Sequence, residues 1–409
     1  MFTGRSSGTG TLLRMTQTAA RPAAPVAGPA GDLPPAGGAR RSRLRALDGL
    51  RLVAALAVCF YHYTARSDMT EHWGADPSDL FPRISSVAVY GPIGVQLFFL
   101  ISGFVICMSG WGRGVRAFAA SRVARVYPAY WVALGLLVAA MVAWPAVSGT
   151  PRADDVLVNL TLLQVPAGAP RILGVDWTLW VEAWFYVLFA LAVLWRGGAS
   201  RARVLRFCWV WLVASLLVTS MGVPLLDELL QPDHAPFFVG GMALYLVHRF
   251  GSTPGLWVLV AVSFALGQRR VVVDLWHPGT DMYIQRSGLV VIGVVAASYL
   301  LVGAVALGWL GWARWRWLTT AGLLTYPFYL LHEHLGWYVI TWLSGRGVDP
   351  HVVLAVTIAG MLVLAWLVHR LVERPLAPVL KRAVGGTPAV RRPADDDATT
   401  SPAARSQPA

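Results

Sequence analysis

"LDGLRLVAALAVCFYHY", Leu47 to Tyr63, is apolar over almost its whole length, yet it opens on Asp48 and Arg51 and closes around His62. A run of this length and hydropathy is a candidate to cross the ~30 Å of hydrocarbon in a bilayer. Ionisable groups within such a run are functional candidates, because each costs ~2–3 kcal/mol or more unless it faces a cavity or a partner. Arg51 and His62 are eleven residues apart. At ~100° per residue that is about 20° from three full turns, so both side chains share one helical stripe, ~16 Å apart along the axis. Asp48 stands three residues before Arg51, at the spacing that lets it hold the guanidinium.

Comparable runs recur along the chain. Hydrophobic residues make up 56% of the 409 and charged residues 13%, with a mean hydropathy of +0.56. A soluble domain carries about a quarter charged residues, and a membrane β-barrel shows ~10-residue alternating segments, which these runs are not. The expected fold is therefore all-α, a polytopic membrane bundle of ten spans: 46–65, 89–109, 125–146, 177–195, 204–222, 235–249, 254–268, 287–309, 317–343 and 351–371. Residues 1–39 and 383–409 are Pro-, Ala- and Ser/Thr-rich and are expected to be disordered tails around a membrane domain at 40–382. No apolar run follows the early arginines, so no secretory leader is expected.

The net charge of +13 would point to nucleic acid in a soluble protein. Here the charge lies in short loops. With the N-terminus inside, basic residues fall in the cytoplasmic loops (Arg113 to Arg125, Arg196 to Arg206, Arg314 and Arg316), and acidic residues such as Asp68, Glu71, Asp154, Asp155, Asp227 and Glu228 fall outside. Both termini are then cytoplasmic, as the positive-inside rule requires, and no nucleic-acid partner is expected. The loop 269–286, with Arg269, Arg270 and Arg286, is the exception. Cys59, Cys107 and Cys208 all lie within spans, which gives neither a disulfide framework nor zinc spacing. The predominance of arginine over the single Lys381, with abundant Ala, Gly and Pro, fits a GC-rich bacterial genome and so a bacterial cytoplasmic membrane.

Two further spans carry ionisable groups. "DWTLWVEAWFYVL" sets Glu182 among tryptophans, with Tyr186 one turn on to bond the carboxyl; "TYPFYLLHEHLGWYV" sets His332, Glu333 and His334 in mid-helix. The second is not HExxH, and histidines two apart face different ways, so no metal site is expected. Counted from the span ends, His62, Glu182 and His332 come to one depth, ~20 Å from the inner face. In "SRVARVYPAYW", Arg122 and Arg125 share a helical face at the cytoplasmic edge, and arginine forks suit phosphates. No Walker or dinucleotide glycine loop accompanies them.

In order along residues 43–382, "RLRALDGLRLVAALAVCFYH", "GPIGVQLFFLISGFVI", "FAASRVARVYPAYW", "DWTLWVEAWFYVLF", "PFFVGGMAL" and "TYPFYLLHEHL" resemble the acyltransferase 3 family of integral membrane acyltransferases. The resemblance implies transfer of an acyl group, often acetyl, from acyl-CoA to a hydroxyl of a sugar, cell-surface polysaccharide or natural product. CoA is then a substrate, with no permanently bound cofactor. It further implies that His62 is the essential histidine, Arg51 its paired arginine, Arg122 and Arg125 the donor-associated pair, and Glu182 a catalytic glutamate. Asp48, Tyr186, His332 and Glu333 are expected in support. Three departures stand out: Ala183 in place of a second glutamate, Trp180 in place of a small polar residue, and Glu333-His334 in place of Trp-Pro. His62 is open to two roles, general base or acyl-carrying nucleophile. A cytoplasmic macrolide- or polyketide-type acceptor in antibiotic biosynthesis is the alternative substrate. An organic-anion transporter is the alternative class, but it predicts an internal repeat, and none is seen.

Overall fold

The computed structural model describes residues 44–276 and 286–385. The expected N-terminal tail, and all of the C-terminal tail beyond residue 385, lie outside the described residues. Within them the chain is all-helical. The ten long helices are α1 (Arg45–Thr64), α2 (Gly94–Gly110), α3 (Val115–Ala143), α4 (Trp177–Phe189, continued by a π-turn to Leu194), α5 (Arg201–Thr219), α6 (Ala235–Phe250), α7 (Pro254–Trp276), α8 (Gly288–Ala306), α9 (Arg316–Ser344) and α10 (Pro350–Val368). A second π-turn leads from α10 into an amphipathic helix, α11 (Arg374–Gly385), which lies against the start of α3; there Arg116 Nε donates to the Val384 carbonyl at 3.2 Å.

By length and composition, eight of the helical runs among the described residues suffice to cross a bilayer. The two of the expected ten that fall short are α6 and α9, and each has a physical reason. Helix α6 has only 16 residues, but Ala235 through Val247 are all buried by neighbouring helices, so it has little contact with lipid. Helix α9 is diluted by polar residues that face inward, with His332 0% and Glu333 3% exposed.

Small residues bring helices together where lipid supplies no hydrophobic drive. A Cβ on Gly103 would overlap the Phe238 carbonyl, and one on Gly241 the Leu100 carbonyl, so the backbones of α2 and α6 touch. Helices α1 and α9 pair along their length in the same way. The Tyr63 ring occupies the space over Gly336, its hydroxyl donates to the His332 carbonyl, and Asp48 sits against Gly322.

The helix ends also account for the misplaced charge. Helix α7 runs past residue 268 to Trp276, so Arg269 and Arg270 are helical, and Arg270 pairs with Asp233. Arg286 is 5% exposed; its Nε donates to the Val89 carbonyl at 2.7 Å and its guanidinium faces the Tyr61 ring. These two arginines are committed to structural partners.

Candidate active site

Two groups of polar side chains lie along α1 and α9. The first surrounds a cavity of about 350 Å³ at the end of the bundle where α1, α3 and α9 begin. Arg51 enters it from α1, Ser121, Arg122 and Arg125 from α3, and Glu182 and Tyr186 from α4. The arginines are held by ring faces. Arg122 lies 5.6 Å from the Phe118 centroid and 5.7 Å from that of Tyr186, and Arg125 lies 5.5 Å from that of Tyr326. Ser102 donates to Glu182, which also interacts with the Tyr186 hydroxyl, and Asp48 and Glu182 both act on Arg51 through their charge. Three guanidinium groups against two carboxylates leave this cavity net positive. Pro327, lacking an N–H, frees the Leu323 carbonyl one turn earlier at the cavity wall. Phe98, Phe99, Thr178 and Tyr329 close the deep end.

The second group begins past Tyr329. Its ring is 5.6 Å from that of His332, which is 5.3 Å from that of His62. His332 donates from Nδ1 to the Tyr329 carbonyl at 2.8 Å, which in the neutral ring leaves a lone pair on Nε2, and this nitrogen is buried without a partner. His62 Nδ1 lies 3.0 Å from Glu333 Oε1 and 3.1 Å from Arg66 Nη1. A lone pair on Nδ1 would face the carboxylate at that distance, and the Arg66 nitrogen already has Glu333 as acceptor at 2.9 Å. The consistent assignment is Nδ1–H donating to Glu333, the tautomer whose neutral ring carries its lone pair on Nε2. Glu333 is thus shared by His62 and Arg66, and Arg66 is further paired with Asp68 and lies over Trp337 at 5.4 Å. His334 Nδ1 accepts the Gly174 N–H at 3.2 Å, tying the turn before α4 to this group.

The structure therefore separates residues that their sequence depths bring to one level. His62 and His332 touch. Glu182 does not join them; it lies in the arginine cavity with Arg51, Asp48, Tyr186, Arg122 and Arg125. The carboxylate beside His62 is Glu333. Sequence reasoning misses Arg66, assigned to the loop after the first span, although its i, i+4 spacing from His62 was the available signal. It also misses Gly174 and Trp337, for which local sequence gives no signal. Among the described residues no group of three potential metal ligands is found.

A half-buried imidazole paired with a buried carboxylate, beside a net-positive cavity in the same membrane bundle, suits a membrane-embedded group-transfer enzyme. The chain belongs to the acyltransferase 3 family: that family's profile, described as "Acyltransferase domain", matches residues 44–370. It is 27% identical over 405 residues to the acyltransferase MdmB of Streptomyces mycarofaciens, covering 87% of this chain and 97% of that protein. It is 28% identical over 307 residues to the exopolysaccharide production protein ExoZ of Rhizobium meliloti (strain 1021), covering 70% and 89%. No solved structure matches significantly. The protein is a multi-pass membrane acyltransferase, and the transporter reading falls.

Proposed function

We propose that the chain moves an acyl group, acetyl being the expected one, from acyl-CoA to a hydroxyl of a cell-surface polysaccharide or glycosylated natural product at the bacterial cytoplasmic membrane. The carrying observation is the His62–Glu333 contact of 3.0 Å, separated from the arginine cavity only by the packed rings of Tyr329 and His332. Arg51, Arg122 and Arg125 suit the donor's phosphates, since guanidinium forks match phosphate oxygens. The cavity's modest volume suits the thioester-bearing arm, with the nucleotide at its mouth. His62 Nε2 takes the proton of the acceptor hydroxyl as its oxygen attacks the thioester carbonyl. The C–S bond then breaks, and the CoA thiolate leaves with the proton returned by the imidazolium. Glu333 holds the imidazole in the tautomer with Nε2 free and stabilises its cation, and Arg66 holds Glu333. Glu182 acts on the donor side, balancing Arg51. The name of the Rhizobium relative, an exopolysaccharide production protein, supports a polysaccharide acceptor.

The test is transfer of label from acetyl-CoA to a panel of glycan, glycoside and macrolide acceptors by membranes holding wild type or His62→Ala at equal expression. Transfer by wild type and none by the variant is expected. Equal transfer by both would overturn the mechanism.

A further inference from the structure

Beyond the wall of the donor cavity lies a second cavity, of about 480 Å³, which the acyl-transfer machinery does not use. Its floor is aromatic: Trp177 and Trp180, both half-buried, line it from the first turns of α4. Its rim comes from the short helix Pro224–Leu230 and the turn into α6, which bring Asp227, Glu228 and Asp233 to one space. Asp233 is committed to Arg270, and Glu228 accepts the Trp180 indole N–H. The lining carries three carboxylates against one guanidinium. Burial pushes the His234 imidazole down to about 4, so it contributes no charge at neutral pH. A strongly acidic recess in a chain of net charge +13 runs against the whole molecule's field.

Two polar groups in the recess are without a partner among the described residues. Gln231 is 7% exposed and lines the cavity, and among the described residues its side-chain amide has no hydrogen-bond partner. It is held there by a left-handed backbone (φ 47°), a conformation uncommon outside glycine. Nδ1 of His234, also in the lining, is buried without a partner. Buried polar groups are ordinarily satisfied, so the His234 nitrogen calls for a partner from outside the chain, and the Gln231 amide, which keeps some exposure, is free to add a second contact. Ring faces for stacking, an amide that both donates and accepts, and excess carboxylate together match a hydroxylated ring bearing a positive charge.

We propose that this cavity binds a protonated amino sugar. It adjoins the donor cavity and is linked by one turn of chain to the His62 group. Phe99 closes the donor cavity on one side and meets the His234 ring at 5.1 Å on the other. Trp177 follows three residues after Gly174, whose N–H is bonded to His334 beside Glu333. An amino-sugar unit held here stands next to the His62 site as part of the acyl acceptor; that last assignment rests on the function proposed above.

The full-length protein in detergent micelles is titrated with glucosamine and, separately, N-acetylglucosamine, with saturation-transfer NMR as the readout. Glucosamine is expected to bind at least tenfold more tightly. Asp227→Asn and Glu228→Gln should each weaken it fivefold or more, and Trp180→Ala should abolish saturation of the ring protons, while His62→Ala binds as wild type. Equal affinity for the two sugars would overturn the proposal. So would unchanged glucosamine binding by Asp227→Asn and Glu228→Gln variants that melt at the wild-type temperature. Binding without acyl transfer would uphold the cavity and overturn only its link to catalysis.

Discussion

Replacing Glu333 by glutamine keeps the side chain's shape and an acceptor oxygen for both His62 and Arg66, and removes only the charge. At the observed 3.0 Å, a carboxylate and an imidazolium attract by about 5 kcal/mol at an effective dielectric of about 20. The amide dipole and relieved desolvation recover part of this, and a charge-assisted hydrogen bond is worth about 1.5–3 kcal/mol net. Arg66, 3.1 Å from the same imidazole nitrogen, would then act on the forming cation with only Asp68 to offset it. The expected loss is therefore about 2–3 kcal/mol in the transition state, or about 30- to 150-fold in kcat. The KM for acyl-CoA should hold, because Glu333 is outside the arginine cavity. The assay is CoA thiol release at saturating donor and acceptor with purified protein. A kcat within threefold of wild type would refute the pairing of His62 with Glu333.

Other outcomes follow from the same geometry. Arg122→Ala and Arg125→Ala should each raise the KM for acyl-CoA by about tenfold or more with a smaller change in kcat, because a lost charge-assisted contact costs about 1.5–3 kcal/mol; initial rates against donor concentration separate the two. Glu182→Gln should likewise shift donor KM more than kcat, the opposite pattern to Glu333→Gln. Gly336→Ala drives a methyl into the Tyr63 ring and should destabilise the α1–α9 pair by about 1–3 kcal/mol, read as a lower melting temperature in detergent. Cys59, Cys107 and Cys208 are buried free thiols, so a maleimide should label the protein only after denaturation, as mass spectrometry of intact protein would show.

The sequence by itself determined what is local to one helix. Apolar run length marks the spans, and the 3.6-residue period puts Arg51 and His62 on one stripe and Arg122 beside Arg125. It also places His62 and His332 at one depth, and they do meet. Depth, however, is a single coordinate. Glu182 reads as level with His62, yet it lies in the arginine cavity with Arg51, about three turns from His62 along α1, because counts from span ends do not fix how a helix sits against its neighbours. Close packing over Gly336 and Gly322 sets α1 against α9, and that pairing carries Glu333 to the imidazole. Arg66 was hidden for a related reason: it follows the end of α1, and only the approach of α9 shows that it reaches back to Glu333. Two of the arginines that broke the charge rule, Arg270 and Arg286, and the buried but short α6, were settled only by tertiary partners. Charge and hydropathy report what a segment would do facing water or lipid, and these segments face protein.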